Sequence, residues 1–513
     1  MLPRSSKSPR GVFLTGATGF VGQYLLKDAM AAGRPVAVLV RSDGRASGQS
    51  RIEGILQNWE QRLERKLMRP VVLEGCLAER NLGLSRADRL WLQRRCSTTL
   101  HSAASVTFQS SDASSEPWLT NVEGTRCLLN LCDDIGLREF HHISTAYVCG
   151  LRSGQILEAE LEAEQLFGND YERSKFEAEL LVRRAKHLNV ATIYRPSIVV
   201  GDSCTGHTTS FRGLYALLQL YYLYAVSNPR RELPLISSIG LTGNEGKNLV
   251  PVDWLTRVIW RLMGCKDSAG HTFHLTNPQP TRVCDIMGAV KSVVEATCGT
   301  HDNKSIGATQ FIDEKIGETL DVYNPYLRSD PEFDCSKTIR FNSEDRCPPI
   351  DSERLLMLVA YAIEQRFTAP RMRVKATKAV DECLRDVVPD VSHTNVGADD
   401  WLQLELSGPG GGAWQVGFRG STPVCLDRGM AEGTNASAYS STETFCSLID
   451  AQMTPIEAVA RGVLVIRGKD RPIEECLQLM ETLQRKLRSG SVGRRDEIPS
   501  TTKIDNKSTC AGG

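Results

Sequence analysis

The chain has 513 residues, with 61 Lys+Arg balanced by 61 Asp+Glu. Zero net charge removes any general electrostatic pull toward nucleic acid or an anionic membrane. A hydrophobic content of 41% with 24% charged residues excludes a wholly disordered chain, and the length suits about two to four domains.

The N-terminal stretch MLPRSSKSPR (1–10) is basic but has no apolar run behind it, so it reads as a tail rather than a signal peptide. GVFLTG (11–16) predicts a strand, and VGQYLLKDAMAAG (21–33) a helix that ends at Gly33. PVAVLVR (35–41), VVLEG (71–75), STTLHSAA (97–104), EFHHIST (139–145) and VATIYRPSIVVG (190–201) supply five further strands. Amphipathic stretches at 121–136 and 171–189 predict helices between them. Short apolar runs each followed by a helix predict an α/β, Rossmann-type doubly wound parallel sheet buried on both faces. From 202 to 365 the pattern loosens into a small substrate-binding portion, completing a first domain over 11–365.

LYALLQLYYLYAV (214–226), within the tyrosine-rich stretch 211–226, is the longest apolar-rich run and falls short of the ~20 residues a spanning helix needs. It reads as a helix lining a channel for an apolar substrate, as an ordinary core helix, or as a peripheral membrane contact; the neighbouring Arg230 and Arg231 make a poor basic face for the last. Residues 366–399 read as a linker, partly helical over 374–395. WLQLEL and AWQVGFRG then predict antiparallel strands across the turn at 408–412. Thr454, Pro455 and Glu457 have the spacing of a capped helix start, GVLVIRG (462–468) reads as a strand, and 472–487 as a helix with Ile473, Met480, Leu483 and Leu487 on one face. The polar, Gly/Ser-rich residues 488–513 are expected to be disordered. Sixteen cysteines without a CxxC pair fit thiols in a reducing, cytoplasmic setting, and no ligand spacing suggests a metal.

Three features carry chemistry. TGATGFVG (15–22) sets Gly16, Gly19 and Gly22 at a strand-to-helix junction. Glycines there permit a tight turn, a close approach of backbone to a pyrophosphate, and close helix–sheet packing. At the end of the second strand stands Arg41, with Arg45 and Arg51 behind it, where an NAD site usually has an acid. A guanidinium there favours the 2′-phosphate of NADPH. Third, Tyr171 and Lys175 in YERSK are four residues apart on one helical face, with Thr145 upstream at the end of a strand. Thr145 would hold a substrate oxygen, Tyr171 would donate a proton, and the Lys175 cation would lower the phenol pKa.

Together with HSAASVTF (101–108), NVEGT (121–125) and YRPSIVVGDSCTG (194–206), these motifs resemble the extended short-chain dehydrogenase/reductases. More narrowly they look like the thioester-reductase and fatty-acyl-CoA-reductase branch, over roughly 11–290. The resemblance implies Thr145, Tyr171 and Lys175 as the catalytic set. It implies cofactor contacts by Thr15, Gly16, Thr18, Gly19, Phe20, Val21, Gly22, Arg41, Arg51, Ala103, Ala104, Asn121, Tyr171 and Lys175. One departure stands out: the family's GDL after the third strand is here Gly75-Cys76-Leu77, which removes a carboxylate from the adenine side. Residues 400–487 resemble a sterol-carrier-protein-like domain, implying a small α+β fold with an apolar ligand; an accessory or dimerisation module is the alternative.

The expected function is NADPH-dependent reduction of a fatty or polyketide-like acyl thioester, carried by CoA or an acyl carrier protein, to an aldehyde and on to an alcohol. Dehydrogenation of a sterol or other hydroxylated lipid is the alternative, and a non-catalytic lipid or dinucleotide binding module the third.

Overall fold

The computed structural model describes residues 11–41, 47–112, 114–227, 241–298, 323–368, 380–385, 398–407, 412–420, 422–428, 436–449, 452–460, 464–468 and 473–492. The chain divides into two compact units, Met1–Val374 and Lys375–Gly513.

The first unit is built on a seven-stranded, fully parallel sheet. Its strands are β1 (Gly11–Thr15), β2 (Val36–Val40), β3 (Val71–Glu74), β4 (Cys96–His101), β5 (Glu139–Ile143), β6 (Val190–Pro196) and β7 (Thr272–Leu275). Their order across the sheet is β7-β6-β5-β4-β1-β2-β3. The order reverses direction between β1 and β4, which opens the crevice where ligands bind in such sheets. Strands this short, buried on both faces, are apolar, as VAVLV of β2 is, or carry buried polar side chains, as CSTTLH of β4 does. Helix α1 (Phe20–Ala31) packs on one face with Tyr24, Leu25, Leu26 and Ala29 in the core; α2 (Gly48–Leu63), α3 (Arg86–Arg95), α4 (Gly124–Ile135) and α5 (Asp170–Arg184) follow β2, β3, β4 and β5.

Two expectations are corrected. VATIYRPSIVVG is not one strand: the chain leaves the sheet after Pro196, and Ile198–Val200 pairs instead with Leu249–Pro251. The switch is fixed where the Ile198 amide donates to the Asn248 carbonyl and the Ser197 hydroxyl to Asn248 Oδ1 at 2.7 Å. Nor is 202–365 wholly a substrate portion. Helix Val252–Gly264 packs in the sheet's own core, and β7, fully buried and paired with β6, ends the strand order of the sheet.

The second unit holds a five-stranded sheet. Asp400–Ser407, Gly412–Arg419 and Thr422–Arg428 form an antiparallel meander; Ala436–Ser441 pairs parallel to Asp400–Ser407 and antiparallel to Leu464–Gly468. Leu402, Leu404 and Leu406 alternate into the core against Trp414, Val416 and Phe418. The last helix, Ile473–Val492, brings Met480, Leu483 and Leu487 to the same core; it runs beyond residue 487, where the sequence suggested an end. Val380 and Leu384, from the stretch expected as linker, are buried there too. Thr454 and Glu457 exchange the reciprocal hydrogen bonds of a capping box at the start of Pro455–Ala460. Residues 1–10, Arg45, Arg230 and Arg231, 408–411 of the expected turn, and 493–513 lie outside the described residues. Among the described residues no helix is long and apolar enough to cross a membrane, and the cysteines are free thiols.

Candidate active site

The turn between β1 and α1 shows why its glycines stand where they do. Gly16 has φ +77°, and a Cβ there would lie 2.5 Å from the Ala103 amide nitrogen. A Cβ on Gly22 would overlap the Gly16 carbonyl oxygen. Those two glycines are demanded by the protein itself. Gly19 is different: a Cβ there meets only the Gly16 carbonyl, at 3.3 Å, so its space is bounded by no other neighbour. Gly19 is also the N-cap of α1 and offers no side-chain cap to the helix amides. An exposed glycine over an uncapped helix start fits a pyrophosphate.

Thr15 is fully buried, and its hydroxyl is used by the protein rather than offered to a ligand. It meets His101 Nδ1 at 2.7 Å, and His101 Nε2 meets Thr125 Oγ1 at 3.0 Å. The Thr125 hydroxyl donates to the Asn121 carbonyl at 2.6 Å, so it must accept from His101. The imidazole therefore carries its proton on Nε2 and accepts from Thr15 at Nδ1. Burial, reinforced by the Lys175 charge, lowers the His101 pKa to about 3, so the ring stays neutral.

Asn121 continues this chain. Its Oδ1 accepts from the Ser105 amide at 2.8 Å; its Nδ2 donates to the Ser105 carbonyl at 3.0 Å and to Ser174 Oγ at 2.8 Å. Ser174 in turn donates to the Tyr171 carbonyl at 2.8 Å. The Asn121 amide is thus spent on positioning, and it does not line the cavity described below. It ties the 102–108 loop to the helix that carries Tyr171.

Thr145, Tyr171 and Lys175 meet in one cavity of about 370 Å³ at the C-terminal edge of the sheet. Asn169 caps the start of α5, its side chain accepting from the Glu172 amide at 2.9 Å. Thr145 follows β5 and is buried; its hydroxyl donates to the Pro196 carbonyl at 3.5 Å and accepts from the Tyr147 amide at 3.3 Å. Burial raises the Tyr171 pKa to about 12, the Thr145 hydroxyl opposing this and Glu172 adding to it. Lys175 is buried, donates to the Ile143 carbonyl at 2.7 Å, and is lowered by burial to about 8, with Glu179 holding it up. The expected effect of Lys175 on the phenol is absent from this balance: burial dominates Tyr171 and pushes it the other way.

Beneath the trio lies an ion pair that sequence reasoning missed. Glu179 and Arg195 are buried, with Arg195 Nη2 2.7 Å and Nε 3.0 Å from the carboxylate. The Ser144 hydroxyl donates to the same carboxylate at 2.7 Å, which fixes the residue beside Thr145. The available signal was spacing: Glu179 is one helical turn beyond Lys175, as Lys175 is beyond Tyr171.

Gly19, Phe20, Val21, Gly22 and Ala104 join the trio in lining the cavity, while Ala103 packs against Gly16. Thr18 lies at the turn, its carbonyl accepting from Gln23. The opposite wall is apolar, with Leu214, Leu217, Leu218, Leu241, Ile286 and Met287. Helix α6 (Leu214–Ser227) therefore serves two of its expected roles at once: Tyr215 and Tyr221 are core residues, while Leu217 faces the cavity. Arg41 is exposed at the end of β2, and Arg51 Nη1 donates to its carbonyl at 2.6 Å. The structure thus brings both guanidine-bearing residues to one strand end.

The family model described as Male sterility protein, an NAD-binding type, matches residues 14–259. The non-canonical nonribosomal peptide synthetase FrzA of a Cladobotryum species is 29% identical over 295 residues, covering 54% of this chain and 26% of that protein. Aldehyde reductase lnbA of Aspergillus flavus is 26% identical over 283 residues, covering 52% of this chain and 26% of that protein. Among the first curated relatives the chain spans 5% to 34% of their own length. The terminal R domain from the myxalamid PKS-NRPS biosynthetic pathway superposes with a TM-score of 0.56 at 25% identity, covering 72% of this chain and 94% of that one.

Proposed function

We propose that the chain, whose residues 14–259 match the Male sterility protein model, is an NADPH-dependent reductase of a fatty or polyketide-like acyl thioester delivered on CoA or an acyl carrier protein. One observation carries the reading. Thr145, Tyr171 and Lys175 share a cavity with the dinucleotide turn, and most of the remaining surface of that cavity is apolar, Ser197, Ser210, Arg212 and Lys247 being polar exceptions. Acyl chains fit such a wall, since apolar area removed from water stabilises by roughly 25 cal/mol per Å².

NADPH, held at the Gly16–Gly22 turn, supplies the hydride. The protein's own residues orient and protonate. The Thr145 and Tyr171 hydroxyls hydrogen-bond the thioester oxygen, and Tyr171 gives its proton as negative charge develops there. A phenol held near 12 is fully protonated at neutral pH and so is ready as a donor. Lys175, one helical turn from Tyr171, would hold the cofactor ribose and supply positive charge. Collapse of the resulting hemithioacetal releases thiol and aldehyde, and a second round takes the aldehyde to alcohol. Arg41 and Arg51 at the end of β2 support the phosphorylated dinucleotide, and the free thiols support a cytoplasmic setting. In the second unit, the meander, the parallel fourth strand and the helical cover support a lipid-carrier-like role for residues 400–487.

The test is NADPH oxidation with a long-chain acyl-CoA and parallel thiol titration. Thiol release matched to NADPH loss, abolished in Tyr171→Phe, is the expected result; a one-to-two ratio of thiol to NADPH identifies the alcohol as product. NADPH consumption without thiol would overturn thioester reduction in favour of lipid carbonyl or alcohol chemistry.

A further inference from the structure

At one edge of the parallel sheet the ends of β2 and β3 stand side by side. Val40 and Glu74 are register partners, and the Gly75 amide donates to the Val40 carbonyl at 3.1 Å. Partners in parallel register present their side chains on one face. Helix α2 starts against that face. A Cβ on Gly48, its first residue, would lie 3.2 Å from both Val40 Cβ and Glu74 Cγ, and the Gly48 amide donates to Glu74 Oε1 at 2.7 Å. Glu74 therefore brings a carboxylate to the end of β2, where the strand's own next residue is Arg41.

The fold uses only part of this carboxylate. Helix α2 has its own cap, Ser47 Oγ accepting from the Ser50 amide at 3.1 Å. Glu74 and Arg41 are both exposed, and among the described residues neither side chain has an ion-pair partner. One carboxylate oxygen is fixed by a neutral amide, so no cation cancels the charge, and the other oxygen is open to a further donor.

We propose that Glu74 is the acceptor for an unphosphorylated ribose, so that the chain takes NADH as well as NADPH at one site. A carboxylate accepts hydrogen bonds from the hydroxyls of the adenosine ribose and repels a 2′-phosphate, whereas a guanidinium pairs with that phosphate. Dinucleotide sites usually carry the acid at the end of the second strand itself. Here the neighbouring strand delivers it, which leaves the end of β2 free for Arg41. The inference rests on the dinucleotide reading of the Gly16–Gly22 turn and extends it in cofactor range; it is independent of which carbonyl compound is reduced.

Direct binding tests it: the full chain is titrated with NADH and with NADPH, each followed by its own fluorescence. In the unmodified chain the two Kd values are expected to lie within about tenfold of each other. Glu74→Gln keeps an oxygen for the Gly48 amide and removes the charge, so the thermal midpoint stays in place. The same variant is expected to weaken NADH about tenfold and to tighten NADPH about threefold, the second change fading at high salt. An NADH affinity that is unchanged in Glu74→Gln overturns the proposal. So does a preference for NADPH of more than about a hundredfold in the unmodified chain. Failure of the unmodified chain to bind either dinucleotide overturns the cofactor reading itself, and the role of Glu74 with it.

Discussion

The two units solve burial in opposite ways. In the first, the parallel sheet hides a continuous set of polar side chains: Thr15, His101, Thr125, Asn121 and Ser174 in one chain, and Ser144, Glu179 and Arg195 in another. In the second, the core facing the helices is almost wholly apolar, from Leu402 through Trp414 to Leu487. Buried polar groups add little net stability and are costly when left unpaired, so a fold that keeps many of them is holding geometry. The first unit's networks end at Tyr171, Thr145 and Lys175, whereas the second unit's core has no such endpoint in its side chains.

That contrast can be broken experimentally. The largest effect belongs to Tyr171→Phe. Loss of the proposed proton donor is expected to lower NADPH oxidation with acyl-CoA about 10³-fold, while the affinity for NADPH in a fluorescence titration stays near its original value. Glu179→Gln comes next. Removing one partner of a buried pair costs about 3–5 kcal/mol of stability, read as a lowered urea midpoint. Its second signature is a pH shift. Lys175, held at about 8, loses its charge as pH rises through that value, so activity falls along a basic limb there. Glu179 raises the Lys175 pKa, so its neutral replacement moves the limb to lower pH. His101 and His142 beneath Lys175 are held well below their usual range by burial and stay neutral across this window. A fixed limb in Glu179→Gln would show that the pair is scaffolding only.

The second unit supplies the counterpart. Trp414→Ala empties a fully packed site and costs roughly 3–5 kcal/mol, seen in the unfolding of that unit. Because Trp414 belongs to the apolar core of the second unit and not to the networks around Tyr171 and Lys175, the basic limb of the reductase activity is expected to stay in place. Arg41→Ala is expected to weaken NADPH about tenfold while leaving NADH nearly unchanged, since in the proposed function the guanidinium pairs with the extra phosphate. Thr454→Ala has the smallest effect, about 1 kcal/mol, because it removes a single exposed cap in the second unit.

Much of the first unit is legible in the chain. The β1 turn, the strand run from Val36 to Ile143 and the Tyr171–Lys175 pair follow from local pattern, because each depends on neighbours within a turn or a strand. The second unit is less so. Thr422–Arg428 and Ala436–Ser441 escape notice because ASAYSS has little apolar signal and becomes a strand through its pairing with Asp400–Ser407 and Leu464–Gly468.

What the sequence by itself determined was the α/β architecture, the glycine turn, and the residue types at Thr145, Tyr171 and Lys175, since backbone conformation and helical spacing are local properties. Only the tertiary structure decided how those residues are held. His101 reaches Thr15 across 86 residues, and Ser144 reaches Glu179 across 35. It also decided that Asn121 serves the scaffold and that burial, not Lys175, dominates the Tyr171 phenol. Desolvation and long-range hydrogen bonding depend on what surrounds a group in space, and no spacing along the chain records that.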